Sequence, residues 1–103
     1  MTKSNIPIAC VLTEPERRQR EATLIAQFRS GVTSITELAD GYAFELPGEQ
    51  KWLSLVSELM IAERECCPFL AFQLMAAPAM GILTLRISGP EGSKAFLKTL
   101  MLG

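Results

Sequence analysis

Two stretches of this chain repeat one punctuation, and it limits the possible folds. Gly41 to Leu53 runs strand, Pro-Gly-Glu, helix, and Gly81 to Leu97 runs strand, Gly-Pro-Glu, helix. In each, residues alternating between apolar and polar give way to apolar residues at helical spacing, and the turn residues mark the change. Tyr42-Ala43-Phe44-Glu45-Leu46 is preceded by Asp40-Gly41, a strong hairpin signal. Ile82-Leu83-Thr84-Leu85-Arg86-Ile87 alternates most cleanly, and Ala76 to Gly81 before it is turn-like. A further strand is expected before each: Val32 to Leu38 and Phe69 to Met75. The chain therefore contains two strand–strand–helix units, and their low identity leaves a duplication only suggested.

Ahead of these units lies a strand–helix pair. Ile6 to Leu12 is short and rich in β-branched and apolar residues, with Pro7 marking its start or a sheet edge. Thr13 and Glu16 have the spacing of a capping box. The helix that follows is expected to run to Phe28 or Arg29, with Ala22, Leu24, Ile25 and Phe28 as its apolar face and Gly31 as its stop. A second helix carries Trp52, Leu55, Val56, Leu59 and Ala62 and ends near Cys67, because Pro68 disfavours helix in the residue before it. Ser93 to Met101 forms the last helix. The expected fold is α+β: one domain over residues 1–103, with a mainly antiparallel sheet of about five strands and three helices on one face, in the order β-α-β-β-α-β-β-α.

Cys66 and Cys67 stand side by side in Glu63-Arg64-Glu65-Cys66-Cys67-Pro68-Phe69. A disulfide between neighbours closes a strained ring, so the pair is poorly suited to a structural bridge. Two adjacent soft sulfurs suit a thiophilic metal, or redox or nucleophilic chemistry. The chain has no histidine, which excludes Ser-His and Cys-His catalytic pairs and any Cys/His zinc site within it. A helix C-terminus carries partial negative charge and disfavours a thiolate, so a hyper-reactive nucleophile is not expected. A metal displaces the thiol protons itself and escapes that objection.

Helical spacing places Glu63 on the stripe of Trp52, Val56 and Leu59, and Cys66 on the stripe of Leu55, Leu59 and Ala62. Both cysteines then face the core, together with Glu63. A core-facing carboxylate needs a partner or a proton, and Arg17, Arg18 or Arg86 could supply the cation. Cys10, in the first strand, is the third soft atom. If it turns toward the helices, three sulfurs converge. Such a set suits mercury(II), arsenic(III) or copper(I) better than zinc, which normally takes four ligands in structural sites. Taken alone, Cys10 is better read as a small buried apolar residue. Met60, Met75 and Met101 fit apolar stripes, and Trp52, Phe69, Phe72 and Phe96 fit an aromatic core.

The flanking composition is unremarkable, and that excludes several functions. Basic and acidic residues number 10 and 11, which leaves no electrostatic footprint for nucleic acid. Met1 to Asn5 has no apolar region behind it, so no signal peptide is expected. No stretch approaches the ~20 apolar residues of a membrane span. The expected location is the cytoplasm, with all three cysteines reduced.

Ile8-Ala9-Cys10-Val11-Leu12-Thr13, an arginine at 17 or 18, the Glu63 to Phe69 block and Ser88-Gly89-Pro90-Glu91-Gly92 together resemble a small bacterial family marked by Cys-Cys-Pro-Phe. A similar segment accompanies MerR-type, heavy-metal-responsive regulators. The resemblance implies thiophilic metal handling. It assigns binding to Cys10, Cys66 and Cys67, and a supporting role to Glu63 and to Arg17 or Arg18. The chain has no DNA-binding helix-turn-helix of its own, so regulation does not transfer. Three functions remain open. The first is a cytoplasmic binder of a soft metal or metalloid, with no enzymatic role. The second is a thiol redox enzyme. The third is an interaction domain, whose sheet face or apolar Leu100-Met101-Leu102 would bind a partner or a second copy as a homodimer.

Overall fold

The computed structural model describes residues 14–102. The strand expected over Ile6 to Leu12, Cys10 and the Thr13 cap lie outside the described residues. Within them the chain is α+β. It has three helices, α1 Pro15–Gly31, α2 Gln50–Cys66 and α3 Ser93–Leu97, and four strands, β1 Ser34–Glu37, β2 Gly41–Leu46, β3 Ala71–Ala76 and β4 Leu83–Ser88. Lys98–Leu102 winds on from α3 as a π-helical turn.

The strands lie in the order β1-β2-β4-β3, and every neighbouring pair is antiparallel. Each strand–strand unit closes its own hairpin, and the second strand of each, β2 and β4, meets at the centre. The register sets Ile35 opposite Phe44, Phe44 opposite Leu85 and Leu74 opposite Leu85. Side chains alternate across a strand, so one face of the sheet carries Phe44, Leu46, Leu83, Leu85 and Ile87. These pack with Leu24, Ile25 and Phe28 of α1, Val56 and Leu59 of α2, and Leu97 and Met101 at the C-terminus. The other face carries Glu45, Thr84, Arg86, Gln73 and Met75. Met75 is therefore exposed, not the core residue its apolar stretch suggested, because its partner Thr84 fixes it on the open face.

Local chemistry accounts for the element ends. Pro15 occupies the first turn of α1, where a missing N–H costs nothing, and Glu16 and Arg29 sit at the ends that suit their charges. Gly31 is the last residue of α1, not a residue beyond it. A β-carbon there would lie 2.3 Å from the Trp52 ring, so glycine is what lets α1 and α2 approach so closely. At Gly92, φ is 95°, a conformation glycine adopts without a steric penalty, and α3 starts from it. α2 stops at Cys66. Cys67 is extended (φ −126°, ψ 74°) ahead of Pro68, and its N–H still bonds to the Glu63 carbonyl at 2.6 Å. Leu70 N–H returns to the Cys67 carbonyl at 3.1 Å, closing a turn with proline at its second position.

The apolar tail turns inward. Met101 is buried, and Leu100 and Leu102, half-buried, pack against the core. Among the described residues no helix is long and apolar enough to cross a membrane.

Candidate metal centre

α1 and α2 pack side by side, and their facing stripes end in polar atoms at one place. The buried residues of α2 are Val56, Leu59, Glu63 and Cys66, in steps of three and four that place them on one face. Cys67, one residue past the helix, turns in beside them. Both cysteines have no exposed surface, and Glu63 is 1% exposed. The expectation that both sulfurs and Glu63 face the core therefore holds.

The opposite helix supplies a group the sequence reading overlooked. The buried residues of α1 are Glu21, Leu24, Ile25, Phe28 and Gly31. Ala22, expected on the apolar face, is exposed, and Glu21 takes its place at 7% exposure. The signal was present, because Glu21 lies three, four and seven residues before Leu24, Ile25 and Phe28. It is the spacing that singled out Glu63.

The polar atoms converge. A carboxylate oxygen of Glu21 and the sulfurs of Cys66 and Cys67 all lie within 4.8 Å of one another. The Cys67 Sγ is 3.4 Å from the Cys66 Sγ and donates to Glu63 Oε1 at 3.6 Å. The two carboxyls bond to each other, and one oxygen of each, Glu21 Oε2 and Glu63 Oε2, is buried with no hydrogen-bond partner among the described residues. Cys67 is a free thiol, whereas Cys66 is disulfide-bonded, which departs from the expectation of three reduced cysteines.

No arginine neutralises Glu63. Arg17 forms ion pairs with Glu14 and Glu65 at the surface, Arg18 lies on the exposed side of α1, and Arg86 is exposed on the open sheet face. The expected pairing of Glu63 with one of these three is thus corrected. An arginine of α1 does reach α2, but at Glu65, two residues on and on the solvent side, and Arg20 likewise pairs with Glu58 at 3.2 Å. The supporting role expected of Arg17 and Arg18 is not seen at the sulfurs.

With no cation at the cluster among the described residues, the electrostatics favour neutral groups. Burial, reinforced by the Glu21 carboxyl beside it, raises the Glu63 pKa from 4.5 to about 9. The thiol of Cys67 is pushed far above its ordinary value, first by burial and then by the charges of Glu63 and Glu21. Such a cluster is a poor nucleophile. It is a good chelator, because a cation entering it would offset the desolvation and the mutual repulsion together. No family model, curated protein or solved structure matches the chain.

Proposed function

We propose that this protein is a thiol-based binder of a thiophilic metal ion or metalloid, with Cys66 and Cys67 as its sulfur ligands. The observation that carries this reading is the convergence of both sulfurs with a Glu21 carboxylate oxygen in a buried cluster, with Glu63 Oε1 3.6 Å from the Cys67 sulfur. Glu21 and Glu63 bond to each other, yet each keeps one buried oxygen without a hydrogen-bond partner among the described residues, where buried polar atoms are nearly always satisfied. The resemblance of the Cys-Cys-Pro-Phe block to segments beside heavy-metal regulators adds to the same reading. Cys10, on the fifth strand expected from the sequence, is the candidate third sulfur, and carboxylate oxygens are the alternative that would complete the ligand set without it.

The disulfide at Cys66 sets a condition. A dithiol reductant must first supply two electrons and two protons. The S–S bond then breaks, both sulfurs become thiols, and the reductant becomes a disulfide. Metal binding afterwards displaces thiol protons to solvent. A thiol enzyme fits the site less well, since the Cys67 thiolate is disfavoured and no cation among the described residues stands beside it to activate it.

The test is titration of the fully reduced protein with mercury(II), arsenite, copper(I) and zinc(II), followed by thiolate–metal absorption bands and native mass. A one-to-one complex that disappears in the Cys66→Ser, Cys67→Ser double variant supports the reading, and unchanged affinity in that variant refutes it. Cys10→Ser then reports on the third sulfur.

A further inference from the structure

The donor set is larger than its sulfurs, and its shape narrows the ion. We propose that Glu21 and Glu63 are oxygen ligands, making a mixed two-sulfur, two-oxygen centre for a tetrahedral dication of the zinc class, zinc(II) or cadmium(II). This inference rests on the metal-binding function proposed above and specifies its ion.

The sulfur spacing is the first support. Two thiolates at about 2.3 Å from a tetrahedral zinc stand about 3.8 Å apart, whereas an ion binding them in a line at the same bond length would need about 4.6 Å. The Cys66 and Cys67 sulfurs are 3.4 Å apart with Cys66 in its disulfide, which must be reduced before both can bind. They belong to neighbouring residues, one ending α2 and one beginning the Pro68 turn, so spreading them to opposite sides of an ion would unwind the helix end. The pair therefore suits a tetrahedral ion and opposes linear mercury(II) or copper(I).

The oxygens are the second support. On the sequence, three sulfurs with Glu63 only in support disfavour zinc, and the structure adds Glu21 and sets Glu63 against the Cys67 sulfur. Glu63 is one helical turn before Cys67, and Glu21 reaches the same point from α1. Both are more than nine-tenths buried; a Glu21 oxygen lies within 4.8 Å of both sulfurs, Glu63 Oε1 is 3.6 Å from the Cys67 sulfur, and each carboxyl keeps one buried oxygen without a hydrogen-bond partner among the described residues. With no histidine in the chain, sulfur and oxygen are the only strong side-chain donors available, and zinc accepts both. The sulfurs in turn count against magnesium and calcium, which take all-oxygen sets.

The experiment uses reduced full-length protein, its Glu21→Gln and Glu63→Gln variants, and the Cys66→Ser, Cys67→Ser double variant. Each is titrated with cadmium(II), zinc(II) and mercury(II) against a competing chelator, with thermal melts without metal showing that each variant folds. Each glutamine variant is expected to bind cadmium(II) and zinc(II) more weakly by about tenfold or more. The thiolate–cadmium band per bound ion should stay unchanged, as should mercury(II) affinity. Unchanged cadmium(II) and zinc(II) affinity in both glutamine variants, with loss in the cysteine variant, would show a sulfur-only site. That result overturns oxygen ligation and leaves the metal-binding function standing. An equal loss for all three ions would overturn the selectivity. If the reduced wild-type protein binds none of them, both proposals fall together.

Discussion

Glu63→Gln isolates the cost of placing a second carboxyl beside Glu21 inside the protein. In the folded chain Glu63 holds its proton up to about pH 9, whereas its ordinary pKa is 4.5. Between these values the folded state binds one more proton than the unfolded chain, so stability must fall as pH rises. A full proton difference is worth about 1.4 kcal/mol per pH unit, so the cumulative cost at pH 7 is about 3 kcal/mol. Below about pH 4.5 both states are protonated and the cost vanishes, and above about pH 9 it levels off. Glutamine has nearly the same shape and no proton to lose. The variant should therefore be more stable than wild type at pH 7 by about 2 kcal/mol, after subtracting about 1 kcal/mol for burying an imperfectly bonded amide. The assay is urea unfolding of metal-free protein at pH 5, 6, 7 and 8, with Cys66 kept in its disulfide. The wild-type curve should drop relative to the variant by more than 1 kcal/mol for each step across the middle of this range. Parallel curves would refute the account, and so would a wild type that gains on the variant as pH rises.

Four further outcomes follow from the same geometry. Cys67 should react with iodoacetamide at pH 8 far more slowly in the folded protein than in urea, since its thiol is buried and its ionisation is pushed up; equal rates would refute the burial. Leu59→Ala, at a site with no exposed surface in the α2 stripe, should cost about 2–5 kcal/mol by urea denaturation. Arg17→Ala should change stability by less than about 1 kcal/mol, because Arg17 and both its partners are largely exposed. Gly31→Ala should destabilise despite alanine's better helix propensity, since the new methyl meets the Trp52 ring. A thermal melt showing a gain would mean that the ring moves freely.

Much of the fold was legible because its signals are local. The Asp40-Gly41 turn, the alternation in Leu83 to Ser88 and the Pro68 stop act over a few residues, and the structure places element ends within two or three positions of the expected ones, except that α3 ends at Leu97, four residues before the expected Met101, and continues as a π-helical turn. Met75 was misplaced because an apolar stretch at a strand does not reveal which face is covered, and pairing with Thr84 decides that. Sequence likewise carries no record of what Met101 packs against. At the site, Glu63 and the cysteines were identified from their stripe. Glu21 was missed although it obeys the same rule, since the Ala22 reading rotated the first helix's apolar face by one residue.

By itself the sequence determined the class, the helix that ends in two sulfurs, and the absence of histidine that restricts any ligand set to sulfur and oxygen. Those are properties of composition and of periods of two and three to four residues. Only tertiary structure decided that Glu21 and Glu63 meet at the sulfurs while the arginines stay outside. The residues concerned lie 42 positions apart on different helices, and whether a charge finds a cation or a second carboxylate depends on how those helices are rotated against each other. That rotation is set by packing around Gly31, Trp52, Phe28 and Leu59. The cluster is thus a consequence of how the core is filled, and no local pattern encodes it.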